Sequence, residues 1–356
     1  MEDVVVIGAG LSGLTAAGQL HQRGYRVRVV DKSRGLGGRV ATRRLDTTSL
    51  DHGCRYLHPF ADPALSPIPA LLASGILQPW QPETFALEAN GSIRTTATAT
   101  LYAAPQGMSA VAKALAAGLT IHRHWRATAL TPMPQGWHIE GEGLGPDSQG
   151  EISALEARAV VVAIPAPQAA ALVAATAQPH DAISDLVQQL QTVAFDPVIT
   201  VMAGYSPQTS PWLSQQTAPG GWMVTGDAHP TLGWIALDSS KRPAAKAAEP
   251  KESVVVLHSS AEFAAQAIDR PDLESVGQDL LAIAAKTLAP WLSSPEWMQV
   301  HCWRYGFVRQ PLGASVLRSP AWPAFVGCGD WCPGGQVEGA IASGHQAAKL
   351  IAQALV

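Results

Sequence analysis

Three groups of residues in this sequence have the types and spacing that chemistry requires. The first is Gly8-Ala9-Gly10-Leu11-Ser12-Gly13. In a G-x-G-x-x-G of this kind Gly8 permits a tight turn and Gly10 lets the backbone approach a pyrophosphate. Gly13 allows close packing of helix on strand, and the helix N-terminus supplies N–H donors and positive potential. Asp31 stands eighteen residues after Gly13, where a carboxylate can accept from a ribose hydroxyl. The pattern requires a dinucleotide and leaves NAD and FAD both open. The second group runs from Lys32 through Gly35, Gly37, Gly38 and Arg39 to Arg43 and Arg44. Its glycines can form an anion nest, and Arg39 can add a charge-assisted contact to a phosphate. An NAD dehydrogenase has no need of this second element; the alternative is a solvated basic loop. The third group, Gly329-Asp330 through Gln336-Val337-Glu338-Gly339, lies at the opposite end of the chain. There Asp330 can meet a ribityl or phosphate-linked hydroxyl, and a Gly-rich turn brings N–H groups to a ligand at a helix start. Two such ends closing on one ligand make an FAD enzyme.

The elements that position these groups are legible in outline. Asp3–Ile7, with three consecutive valines, has the pattern of a strand buried on both faces. Leu11, Leu14, Ala17 and Leu20 mark a helix over 11–23 that Gly24 ends, and Val27–Val30 is a second buried strand. Further strands are expected at Thr120–Ala129, Gly136–Glu140, Arg158–Ala163 and Ala324–Gly327, with a loop over 141–150 and a final helix from Val337 to Ala354. A separate set comprises a hairpin at Asn90-Gly91, a helix over 108–117, and strands at Pro197–Ala203, Trp222–Thr225, Leu232–Leu237 and Ser253–His258. A polar insert spans 239–251, and a helix over 273–288 precedes a strand at Gln299–Trp303.

Composition removes several function classes. The 356 residues carry a net charge of −4 with 47% hydrophobic and 15% charged residues, enough for a sizeable core and a poor match to a nucleic-acid backbone. The uncharged stretch Ala159–Ala177 contains Pro165 and Pro167 and reads as strand, turn and Ala-rich helix, so no transmembrane segment is expected. Glu2 and Asp3 argue against a signal peptide, and the four cysteines (Cys54, Cys302, Cys328, Cys332) make neither a disulfide framework nor a zinc set. A cytoplasmic location is expected. His122, His124, His138 and His180 lack metal-site spacing, and Trp80, Trp125, Trp137 and Trp291 suit packing.

The order G-x-G-x-x-G, terminal acid, x-G-G-R resembles the FAD-binding start of the amine-oxidase-like flavoproteins. That group has a p-hydroxybenzoate-hydroxylase-like α/β architecture, a Rossmann-type FAD-binding domain interleaved with an α+β substrate domain. Asp31–Arg39, Leu50–Tyr56 and His301-Cys302-Trp303-Arg304-Tyr305 most resemble the renalase branch. Gly107–Ala110, Ile164–Gln168, Trp234, Ser239–Lys241 and His258–Ser260 follow its layout more loosely. The resemblance implies an FAD domain of residues 1–60, 106–178 and 301–356 and a substrate domain of 61–105 and 179–300. It implies non-covalent FAD held by Gly8, Ala9, Gly10, Leu11, Ser12, Gly13, Asp31, Lys32, Gly38, Arg39, Gly53, Cys54, Arg55, Tyr56, Gly329, Asp330, Gln336 and Val337, with the backbone of Ala127 at the adenine. Arg55, His58, Trp303 and Tyr305 become candidates for the substrate pocket.

The implied reaction is hydride transfer from a reduced small molecule, such as a dihydronicotinamide isomer or another nicotinamide nucleotide form, to FAD. Reoxidation by O2 to H2O2 follows. Such a donor needs no general base, which suits a sequence without an evident acid/base pair. Two departures bear on substrate. Relatives that oxidise amines carry a Lys and an aromatic cage near the flavin, whereas Val193–Ala203 has no Lys and Gln336 replaces an aromatic. Where the renalase pattern reads G-A-Q-Y-F-T, this chain reads Gly53-Cys54-Arg55-Tyr56-Leu57-His58, so Arg55 contacts either an anionic substrate group or an FAD phosphate. The alternatives are an amine oxidase or desaturase acting on another substrate, and a flavin-binding protein without turnover.

Overall fold

A computed structural model describes residues 1–45, 48–145, 152–176, 181–206, 220–242 and 252–356. Two sheets dominate it. The first has eight strands, with Trp125–Met133, Gly136–Gly143, Ala154–Val162, Glu2–Ile7, Val27–Asp31 and Thr120–Arg123 in that order. Trp322–Gly327 lies parallel to the C-terminal half of Ala154–Val162, and Leu317–Ser319 pairs with its outer edge. The central strands are parallel and buried on both faces: Val4, Val5, Val6, Val160 and Val161 are fully enclosed, as uninterrupted β-branched runs require. Helices Leu11–Gln22 and Gln336–Ala354 cover one face side by side. They approach so closely that a Cβ on Gly344 would stand 2.4 Å from the Ser12 carbonyl oxygen. The two ends of the chain thus share one layer.

The second sheet has seven strands in the order Trp297–Gln310, Ala194–Tyr205, Ser253–Ser259, Leu232–Leu237, Trp222–Thr225, Glu83–Leu87 and Ile93–Thr95. All its pairs are antiparallel except Trp222–Thr225 with Glu83–Leu87. Helices Ala261–Ala267 and Leu273–Thr287 bury apolar side chains against one face. The other face turns toward Trp80 and Leu50 and toward the first sheet.

Several expectations are revised. The strand expected over 120–129 is two strands, because His124 adopts φ +59° and the chain changes partner there, from Val27–Asp31 to Gly136–Gly143. The loop expected from 141 begins only after Gly143, and 146–150 lie outside the described residues. The strand at 299–303 extends from Trp297 to Gln310, all of it in the second sheet, so a boundary between 300 and 301 would cut a continuous strand. Its long neighbour Ala194–Tyr205 accommodates Pro197 at a register shift between Asp196 and Val198, where a missing N–H costs no ladder bond. Within 159–177 the strand and the helix Ala166–Ala174 are present. No described helix is long and apolar enough to cross a membrane. His180 and residues 243–251 of the polar insert lie outside the described residues.

The start of that insert is not solvated. Lys241 is fully buried, its Nζ 2.6 Å from Asp238 and 3.9 Å from Asp51, and Arg242 reaches Asp238 at 2.6 Å and Asp51 at 3.0 Å. Asp51 also accepts from the Met108 N–H and the Thr42 hydroxyl, both at 2.8 Å. Two carboxylates balanced by two cations make this burial tolerable. The cluster ties the Ser49–Asp51 strand to the second sheet. Burial raises Asp238, but Lys241 and Arg242 outweigh it and hold its carboxyl below the ordinary range; burial and then the Asp238 charge push Asp51 upward.

Candidate active site

A continuous cavity of about 1420 Å³ runs between the two sheets and is lined by both chain ends. That exceeds the ~300–1,000 Å³ of ordinary small-molecule pockets. Gly8 (φ +112°) makes the turn out of the first strand, with no space for a side chain: a Cβ would lie 2.5 Å from the Ala163 carbonyl oxygen. Gly13 does not line the cavity; a Cβ there would meet the Gly8 carbonyl at 2.0 Å, so it serves helix–strand contact. Gly10 faces open cavity, with nothing within 4 Å of a Cβ position. It is also the N-cap of Leu11–Gln22, and no side chain caps that helix, which leaves N–H donors at its start available.

Ala9 is buried outside the cavity wall, its N–H donating to Asp31 Oδ2 at 2.6 Å, while Ser33 N–H donates to Oδ1 at 2.7 Å. Asp31 therefore anchors the glycine turn and keeps lone pairs for a hydroxyl donor. The second glycine element packs onto the first: Gly37 N–H donates to Ala9 O at 2.8 Å, and Gly38 (φ +55°) stands over Gly10. Leu11, Ser12, Lys32, Gly38 and Ala127 complete this end of the wall, Ala127 at an irregularity in strand register.

The opposite chain end arrives beside Arg39. Arg39 donates to Asp330 Oδ1 at 2.5 Å and to the Gly306 carbonyl at 3.2 Å, joining residues 291 positions apart. Gly329, Asp330, Gln336 and Val337 line the cavity. The chain enters helix Gln336–Ala354 through Gly335 (φ +80°) and Gln336 (φ +52°), again with no side-chain cap. A non-glycine residue at positive φ is strained and is retained where surroundings fix it. Two uncapped helix N-termini and two glycine turns, drawn from opposite ends of the chain, open on one elongated space. This cradle fits an extended dinucleotide such as FAD, with backbone donors where a pyrophosphate and a heterocycle need them.

The second sheet closes the far part of the cavity. Trp234, His258, Thr200 and His301 are directly paired across four adjacent strands, so their side chains share one face. Along the last strand His301, Trp303, Tyr305 and Phe307 alternate onto the same side, and all four line the cavity. Residues 52–56 lie across this face: the His52 carbonyl accepts from Thr200 Oγ1 at 3.1 Å and from Trp303 Nε1 at 2.9 Å. The His52 ring stacks on Trp303 at 5.4 Å and meets His301 edge-on at 4.9 Å. Gly53 is required where it stands, since a Cβ would lie 2.0 Å from the Arg39 carbonyl oxygen. Cys54 lines the cavity, with burial pushing its thiol up to about 11. Arg55 is bounded by the rings of Trp234 (5.0 Å), Tyr56 (5.5 Å) and Phe307 (5.6 Å). His58 is exposed, edge-on to Tyr56.

The three histidines are neutral. Burial, with His301 and Arg43 nearby, lowers His52 to about 3; burial and then Arg55 hold His258 well below the usual histidine range; burial and then Arg43 lower His301. Among the described residues no histidine, cysteine and carboxylate cluster could hold a metal ion. Sequence reasoning missed His52, His258 and His301 as a group. The alternation of ring residues at 301, 303, 305 and 307 was the available signal for one wall.

The comparisons with known proteins agree with this geometry. A profile of NAD(P)-binding Rossmann-like domains matches residues 6–68, and one of flavin-containing amine oxidoreductases matches residues 82–352. Among solved structures, putrescine oxidase bound to putrescine is 16% identical over 99% of each chain with a TM-score of 0.70. Cyclohexylamine oxidase from Brevibacterium oxydans IH-35A is 15% identical over 99% of each chain, TM-score 0.69. A putative protoporphyrinogen oxidase from Exiguobacterium sp. 255-15 is 13% identical over 99% of this chain and 98% of its own, TM-score 0.71. At such identities these structures establish the fold. The profile match over most of the chain establishes more: this protein belongs to the flavin-containing amine oxidoreductase family and is an FAD-dependent oxidoreductase.

Proposed function

We propose that the chain is a renalase-like oxidase that takes a hydride from a reduced small molecule, a dihydronicotinamide isomer or a similar electron-rich ring. FAD, when bound, supplies the two-electron chemistry, accepting the hydride and returning electrons to O2 as H2O2. The protein's part is to bind FAD through Gly8, Gly10, Leu11, Ser12, Asp31, Lys32, Gly38–Arg39, Gly53, Cys54, Tyr56, Ala127, Gly329–Asp330 and Gln336–Val337, with Ala9 and Gly13 shaping the turn behind them. It also presents the donor ring to the face formed by His301, Trp303, Tyr305 and Arg55. In this division the cofactor unit comprises residues 1–60, 106–178 and the C-terminal segment, and the substrate unit 61–105 and 179 onward, with strand Trp297–Gln310 kept whole in the latter.

One observation carries the reading. Among the described residues, the wall contributed by residues 52–58 and the second sheet contains Arg55, Arg304 (paired with Asp269) and four histidines whose protonated forms are disfavoured, His52, His58, His258 and His301, and no carboxylate or lysine. The lysines lining the cavity, Lys32 and Lys113, belong to its other end. An alkylammonium substrate would meet Arg55 with no counter-charge, whereas a neutral or anionic reduced ring suits such a wall and needs no base to surrender a hydride. Oxygen consumption and H2O2 release by the purified yellow protein test the proposal. Turnover is expected with 1,2- or 1,6-dihydronicotinamide forms and absent with primary and secondary amines. Turnover with amines alone refutes it and supports amine oxidation instead.

A further inference from the structure

Among the described residues, Arg55 and His258 keep hydrogen-bonding capacity that no well-formed contact uses. Among the described residues no carboxylate lies within ion-pair distance of Arg55, and its guanidinium makes no hydrogen bond; its neighbours are the three ring faces of Trp234, Tyr56 and Phe307. His258 is 3% exposed, and neither ring nitrogen makes a hydrogen bond of good geometry, although the His52 backbone lies close enough to favour the protonated ring. His52 Nδ1 is likewise buried and unpartnered. All three residues line the cavity. Of the other cations nearby, Lys241, behind Trp234, is neutralised by Asp238, Arg39 is paired with Asp330 and Arg304 with Asp269. Arg43, close enough to His52 and His301 to disfavour their protonated forms, keeps a buried Nε without a partner among the described residues, at the neighbouring part of the wall. Asp227, whose charge Tyr56 feels, is exposed and lies outside the cavity wall. Buried polar atoms in native structures find partners, so a guanidinium fork and a neutral imidazole left open toward a cavity describe a missing ligand.

We propose that Arg55 and His258 form an oxyanion subsite, binding a carboxylate or phosphate carried by the reduced substrate. Arg55 offers parallel N–H donors to two oxygens, and neutral His258 donates one ring N–H to the same group. The surrounding rings hold the guanidinium in place and exclude water, which strengthens the contact. The subsite names the substrate class within the function proposed above and rests on that reading: an electron-rich ring bearing an oxyanion, such as a dihydronicotinamide mononucleotide or a dihydropyridine carboxylate, in preference to an uncharged riboside or amide.

The test is ligand binding to oxidised holoprotein, followed by flavin absorbance perturbation and calorimetry, with turnover measured separately. The probes are nicotinate against nicotinamide, nicotinamide mononucleotide against nicotinamide riboside, and inorganic phosphate. The first pair reports a carboxylate and the second a phosphate. At least one charged member is expected to bind about tenfold or more tightly than its neutral counterpart. Arg55→Gln should abolish that preference, Arg55→Lys should retain part of it, and His258→Gln should weaken it, all compared at equal FAD occupancy. Equal binding of charged and neutral members overturns the proposal. So does an Arg55→Gln protein that loses FAD affinity while keeping the oxyanion preference, which would make Arg55 a cofactor contact. An Arg55-dependent preference without flavin reduction by any dihydronicotinamide would leave the subsite standing and remove the proposed hydride donor. Reduction by dihydronicotinamides without the preference would do the reverse.

Discussion

The two glycines of the nucleotide turn make opposite demands, and exchanging each for a larger residue separates cofactor binding from folding. Gly10 has φ −76° and ψ 176°, ordinary extended values, and open space where a Cβ would go. The Cβ of Gly10→Val therefore meets no protein atom within 4 Å. Losing a glycine N-cap costs about 1 kcal/mol, partly offset by about 0.4–1 kcal/mol from a stiffer unfolded chain. The apoprotein's Tm should move by about 2 °C or less. The side chain would, however, occupy the place where the cofactor's pyrophosphate meets the backbone. Loss of two charge-assisted contacts at about 1.5–3 kcal/mol each weakens FAD binding by roughly two to four powers of ten. Gly13→Ala behaves differently. Its Cβ would stand 2.0 Å from the Gly8 carbonyl oxygen and 3.0 Å from the Ala163 Cβ, so the helix must shift, at a cost of about 1–3 kcal/mol or more. Thermal unfolding of both apoproteins and FAD titration by fluorescence quenching distinguish them. Wild-type FAD affinity in Gly10→Val, or a loss of apoprotein stability as large as that of Gly13→Ala, would refute the reasoning.

Two further predictions follow from charge. Arg39→Leu leaves the Asp330 carboxylate, whose side chain is 6% exposed, without its partner. Because Arg39 itself is a third exposed, the apoprotein should lose about 1–3 kcal/mol rather than the full cost of breaking a buried pair, and FAD should dissociate faster; addition of Asp330→Asn should restore part of the stability. His52, His258 and His301 have native values depressed below their ordinary 6.5. The unfolded chain thus binds protons that the native chain refuses, so stability is full above about pH 6.5 and falls on acidification, each histidine adding up to about 1.4 kcal/mol per pH unit. For His52 this slope persists to about pH 3. Asp238, held low by Lys241 and Arg242, adds a further loss below the ordinary carboxylate value of 3.8. Urea unfolding of apoprotein across pH should show the slope, and His258→Leu should reduce it by about one proton.

How much of this was legible in the sequence depends on how far apart the cooperating residues lie. The nucleotide turn, its acid and the first two strands are local, and glycine spacing with valine runs encodes them within thirty residues. Trp222–Thr225 and Leu232–Leu237 occur where their apolar patterns put them. The histidine face was not legible, because His52, His258 and His301 meet only through strand register around Thr200. Nor was the buried Lys241, which sits at the start of a segment whose composition reads as solvated and is stabilised by Asp51 from 190 positions earlier. His124 broke a continuous strand pattern through a backbone conformation that no periodicity announces. Arg55 stood out as a departure from the pattern it resembles, but only the rings of Trp234 and Phe307 showed that its side chain turns toward the second sheet.

The central claim is that one FAD spans both chain ends and draws electrons from a reduced, preferably anionic, ring. Anaerobic rapid mixing of holoprotein with 1,2- and 1,6-dihydronicotinamide nucleotides, NADH, NADPH and a panel of amines tests it in a single turnover. The account predicts rapid bleaching of the visible flavin absorbance with one of the dihydronicotinamide isomers and none with amines. Bleaching by amines alone, or a colourless protein that cannot be reconstituted with FAD, would contradict it.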